Sequence, residues 1–179
     1  MSAMKRKTKS VALCGVMAAL AVALLFLGGT VPFAAIACPV LASLVLIPVY
    51  AENGWKWGLL WYFATALLGL LLTPDKEASI LFAFFGYYPI LRRCFGRLRS
   101  AVLKWAGKLV YVNLAVIAAY ALMIFVFRME AIVQEYANTQ RYILIALMLL
   151  ANLSFVIYDL LIGRLEIYYH AHLRPKLNL

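Results

Sequence analysis

The basic residues of this chain are gathered into blocks that alternate with long apolar stretches, and that alternation excludes a soluble fold. Lys5, Arg6, Lys7 and Lys9 precede the first stretch, and Arg92, Arg93, Arg97, Arg99, Lys104 and Lys108 cluster mid-chain. Arg164, Arg174 and Lys176 follow the last stretch, and few cations lie between these blocks. With 66% hydrophobic and 13% charged residues, the chain has too little polar surface to cover a globule in water. The pattern is that of an integral membrane protein. A net charge of +10 does not point to nucleic acid, because a nucleic-acid binder needs a continuous basic face. Here the cations are divided by apolar spans, and the positive-inside rule accounts for their excess.

A helix needs about 20 apolar residues to cross a hydrocarbon core of about 30 Å. Six segments are predicted to do so, at residues 10–28, 33–50, 55–72, 78–91, 109–127 and 142–162. The first is long enough to remain as a span rather than be removed as a signal peptide. The second contains Pro39 and ends near Pro48, so an irregularity is expected near its start. The third opens on Trp55 and Trp57, which suit an interfacial anchor. The fourth is short and carries Pro89. Before the fifth, Cys94 to Lys108 reads as a basic amphipathic segment with Trp105 at the interface. The sixth meets no breaker and is expected to run on toward His172.

Parity argues that the short fourth segment crosses. With six spans, fourteen cations fall on one side and Lys76, Arg128 and Arg141 on the other. Without that crossing the mid-chain cluster would lie outside. The expectation is therefore an all-α polytopic membrane protein of six transmembrane helices, the fourth short, with both termini cytoplasmic. It forms one membrane domain over residues 1–179.

Residues able to carry chemistry are sparse. His170 and His172 are two apart in the C-terminal tail rather than on one helical face, and Cys14, Cys38 and Cys94 show no paired ligand spacing. No phosphate loop or nucleophile elbow occurs. No enzyme activity, metal or cofactor is expected. Asp75 and Glu77 lie at the mouth of the fourth segment, where they read either as a polar contact to a solute or as helix-capping acids. Tyr87 and Tyr88 can stack on a planar solute or pack in the core. Asn152, with Asn113, reads as interhelical hydrogen bonding or as a cavity wall. Asp159 is expected to pair with Arg164 about a turn on. Gly15, Ala19 and Ala23 form a small-residue stripe that lets another helix approach, from within the chain or from a separate subunit.

The basic N-terminus, the Ala-rich first helix from Val11 to Ala21, six spans in about 180 residues, the irregular second span and the basic tail together resemble a known family. They resemble the substrate-binding S components of energy-coupling factor transporters. The resemblance implies a small-molecule solute such as a vitamin, held on the extracytoplasmic half and closed over by residues 28–32, 73–77 and 128–140. It also implies a transmembrane coupling subunit that meets Gly15, Ala19 and Ala23, working with cytoplasmic ATPases. The layout is also similar to the membrane protein of the bacterial rod-shape elongation machinery, a scaffold that carries no solute. In that alternative the basic cytoplasmic face docks a partner or membrane lipid.

Overall fold

The structure is a computed structural model that describes residues 2–31, 34–74, 76–128, 130, 134 and 139–174, with the side chains of 2–7 outside the description. It is all-helical, with no strand among the described residues. Among the described residues, four helices are long and apolar enough to cross a membrane: Thr8–Gly28, Trp55–Leu72, Ala101–Val126 and Arg141–Leu173. The chain divides into two compact units, one of Met1–Arg93 with Leu161–Leu179 and one of Cys94–Leu160.

The first unit contains α1 (Ser2–Gly28), α2 (Ala37–Leu44), α3 (Leu46–Asn53), α4 (Trp55–Leu72), α5 (Lys76–Phe85) and most of α6 (Tyr88–Gly96). α1 packs on α2 and α4, α2 on α5, and α3 on α4. On α1 the buried positions Ala21, Leu25 and Gly28 recur at helical spacing and form one face. α4 buries Gly58, Trp61, Tyr62, Thr65, Ala66 and Gly69, again a 3–4 repeat. Its opposite side exposes Leu60, Phe63, Leu67 and Leu71, as lipid contact requires. Gly54 joins α3 to α4 at φ 84°, a left-handed turn that a side chain would strain.

Two prolines set the breaks in this unit, and one is not the proline expected. The second apolar segment is interrupted between Leu44 and Leu46. Pro48 lacks the N–H that would bond to Leu44, and its ring crowds that carbonyl. Pro39 instead lies in the first turn of α2, where its N–H has no intrahelical partner to lose. Residues 34–36 lie outside α-helix ahead of α2, so the segment is irregular at its start as expected, and the break at Val45 adds a second irregularity mid-segment. Pro89 acts on Phe85 in the same way and separates α5 from α6.

The second unit is built on α7 (Ala101–Ala121), continued by a π-helical turn over Leu122–Val126, and on the first part of α8 (Arg141–Tyr168). The last part of α8 and a π-helical turn, Tyr169–Leu173, belong to the first unit. The basic segment expected as one amphipathic stretch is divided, since α6 ends at Gly96 and α7 begins only at Ala101. On α7 and the π turn that continues it, Lys108, Val112, Ala115, Ala119 and Met123 are buried at 3–4 spacing, the seam of a packed helix.

Candidate functional site

Polar side chains in an apolar helix must find partners, and their placement divides the site residues named from sequence. Glu77 is half-buried in the first turn of α5; Asp75 lies outside the described residues. Beside Glu77, the Lys76 ammonium donates to the Thr73 carbonyl at 2.7 Å. The Thr73 hydroxyl lies 2.7 Å from both the Gly69 carbonyl and the Ser79 hydroxyl. Thr73, Lys76 and Ser79 thus satisfy much of their polarity locally, which fixes how α5 begins.

Tyr87 and Tyr88 lie at the break between α5 and α6. Tyr88 is fully buried in the core, whereas Tyr87 is half-buried. The Tyr87 ring meets Tyr62 edge-on at 5.4 Å, and Tyr62 also faces Phe82 at 5.8 Å and donates its hydroxyl to the Ala83 carbonyl. Glu77 lies in the first turn of α5 and Tyr87 just beyond its last residue, Phe85, so the two stand at opposite ends of that helix. Asn152 belongs to the second unit.

Asn152 and Asn113 exchange two hydrogen bonds, at 3.0 and 3.1 Å. Each amide also donates to the carbonyl four residues back on its own helix, Met148 or Leu109. The pair ties α7 to α8 in antiparallel register with the ion pair between Lys108 and Asp159 at 2.7 Å. Asp159 is thus bound to Lys108 rather than to the expected Arg164. Arg164 is five residues on, and helical neighbours that share a face are three or four apart. Asn152→Leu is expected to cost about 1 kcal/mol, the usual scale of a polar link between membrane helices. An unfolding titration in sodium dodecyl sulfate checks it, and a change near zero would refute the link.

The stripe on α1 is open. Gly15, Ala19 and Ala23 are exposed on the side of α1 away from Ala21 and Leu25. A Cβ placed on Gly15 would meet no atom within 4 Å. With Phe26 on α1 and Leu68 and Leu72 on α4, the three line a shallow apolar groove of about 810 Å³. A smaller hollow of about 390 Å³ is lined by Ile124, Arg128, Glu130 and Gln134, where Arg128 takes φ 47° after the π turn.

No family model, curated protein or solved structure matches this chain.

One polar centre with several partners was not singled out from the sequence. Glu166 accepts from Arg92 Nη1 at 3.0 Å, from Arg93 Nε at 3.3 Å and from the Tyr50 hydroxyl. The Arg93 guanidinium also lies 4.3 Å from the centre of the Tyr50 ring. Nearby in sequence, Glu52 accepts from Tyr169 at 3.2 Å and from Arg174 at 3.1 Å. Glu52 reads as a solvated turn residue in the sequence, yet its side chain is only 7% exposed. Asn53 bonds Ser10 and the Cys14 thiol, and the Trp61 indole donates to the Cys14 carbonyl at 3.0 Å. These contacts fasten the end of α8 to α3 and α6, and α1 to α3 and α4. One local signal existed: Gly163, where a Cβ would sit 2.6 Å from Arg92 Nη2, marks a close approach one turn before Glu166.

Proposed function

We propose that this chain is the membrane-embedded solute-binding subunit of an energy-coupling-factor-type ABC uptake transporter for a small molecule such as a vitamin. It crosses a bacterial cytoplasmic membrane six times, with both termini inside. The span count is supported by α2 and α3, which carry the second apolar segment, and by α5 and α6, which carry the fourth. Together α5 and α6 extend over residues 76–96, which at 1.5 Å per residue approaches the thickness of the hydrocarbon core. Fourteen of seventeen cations then fall on the cytoplasmic side.

The observation that carries the reading is the groove on α1. A row of small residues normally exists so that a second helix can pack closely, and here no helix of the first unit fills that row. Its occupant is a transmembrane helix of the coupling subunit. Glu77 and Tyr87 are the residues of the first unit proposed to face the solute, one supplying charge and the other an aromatic edge.

Thermal stability of the purified protein across a vitamin and metabolite panel tests the solute. A ligand that binds the folded state at 100 times its Kd is expected to add about 2.7 kcal/mol. Ala19→Phe is expected to abolish co-purification of a coupling subunit while leaving the ligand-induced shift intact, because residue 19 is exposed. Silence across the panel, with the complex undisturbed by Ala19→Phe, would replace the transporter reading with the non-transporting scaffold.

A further inference from the structure

The six cations from Arg92 to Lys108 are not equivalent once their partners are known. Arg92 and Arg93 are held by Glu166, and Lys108 turns inward to Asp159. Arg97, Arg99 and Lys104 have no side-chain partner among the described residues. The first two are exposed and the third is half-exposed.

The connection that carries them is folded tightly. The Arg97 and Leu98 amides donate to the Cys94 and Phe95 carbonyls at 3.2 and 3.1 Å, and the Lys104 amide donates to the Ser100 carbonyl at 3.1 Å. The Phe95 ring lies against Gly107, where a Cβ would approach it to 2.9 Å. Residues 97–100 are therefore secured against the first two turns of α7. On those turns Val102 is 77% exposed, Leu103 58% and Trp105 38%. Cations on the turn and open apolar side chains on the helix beside it form two adjoining layers of opposite chemistry.

We propose that residues 97–100, with Lys104 and Trp105, bind an anionic phospholipid, its phosphate held by Arg97, Arg99 and Lys104 and the glycerol end of its acyl chains resting against Val102, Leu103 and Trp105. Arginine matches phosphate with two parallel donors. Trp105 suits the boundary between headgroup and hydrocarbon. A soluble acidic protein would match the cations but not the aliphatic residues beside them, which open a helix long and apolar enough to cross the membrane. A phospholipid matches both. The proposal is independent of which solute the protein takes and of the groove on α1.

The test is native mass spectrometry of the full chain, titrated with phosphatidylglycerol and with phosphatidylcholine of the same acyl chains. Phosphatidylglycerol is expected to bind at least about tenfold more tightly, since each surface cation favours an anionic headgroup. Replacing the three together, R97Q/R99Q/K104Q, is expected to bring the two lipids level, whereas R97K/R99K/K104R keeps the preference. A preference that is absent in the native chain, or unchanged in the glutamine variant, would overturn the proposal. So would displacement of the lipid by inorganic phosphate or by a short poly-glutamate peptide at equal concentration, which would assign the surface to a soluble anion or an acidic protein.

Discussion

Asp159→Ala is expected to destabilise the protein by about 3–5 kcal/mol, because it leaves the Lys108 ammonium buried without its counter-charge. The side chains of Lys108 and Asp159 are 11% and 3% exposed, at a separation of 2.7 Å. Neither finds water easily. Two effects oppose the loss: the Lys108 ammonium keeps its place 4.9 Å from the Trp105 ring centre, and a lysine stem can extend toward the interface. Lys108 lies seven residues into α7, about 10 Å from its start. Trp105, at the interface, is only one turn nearer, but the Lys108 side chain is 11% exposed, so its neighbours restrict that extension and most of the penalty remains. Lys108→Met with Asp159→Leu removes both charges and is expected to recover nearly all of the stability, because a buried ion pair adds little beyond a well-packed apolar pair. Unfolding titrations of the single and double variants in sodium dodecyl sulfate form the cycle. Additive losses in the double variant would show that the two side chains do not act as a pair.

That ion pair also marks what the sequence could and could not disclose. The run from Trp55 to Leu72 is predicted and observed with the same limits, since Gly54 and Thr73 bound it locally and its apolar content alone makes it a span. Lys108 and Asp159 are 51 residues apart, and hydropathy reads one helix at a time. Nothing local distinguishes a lysine that faces its neighbour from one that faces water. Spacing could have excluded Arg164 as the partner, and backbone chemistry could have chosen Pro48 over Pro39, because in each case the deciding geometry lies within one helix. Glu166 escaped notice because it follows the apolar run and resembles any solvated acid of a helix end. Its partners, Arg92 and Arg93, become neighbours only when α6 and the end of α8 meet within the first unit. On α1 the small-residue spacing was legible from residues 15, 19 and 23, but their exposure was not, since an internal helix would satisfy the same spacing.

Gly58→Leu is expected to cost about 3 kcal/mol, the upper end of overpacking in a well-filled core. A Cβ on Gly58 would lie 2.7 Å from the Tyr50 Cβ, 3.0 Å from Ile90 Cδ1 and 3.5 Å from the Tyr50 Cα. The Ile90 methyl can rotate away. The Tyr50 Cβ cannot, because it moves only with α3. Gly58→Ala sets this clash against a gain of about 1 kcal/mol in helix propensity, and the two nearly cancel. Leucine adds three more carbons where none fit. The displacement should reach the far side of α3, because Tyr50 also bonds Glu166 and supports the Arg93 guanidinium. Gly58→Leu is therefore expected to loosen the end of α8 as well, read as faster amide exchange over residues 162–169. Gly15→Leu supplies the contrast on α1, where no atom lies within 4 Å of the new Cβ. It is expected to leave unfolding unchanged or slightly harder and still to fill the groove beside Ala19. If both leucine variants unfolded alike, the close packing of α4 on α3 would be wrong; if Gly15→Leu left a coupling subunit bound, the groove would not be its seat.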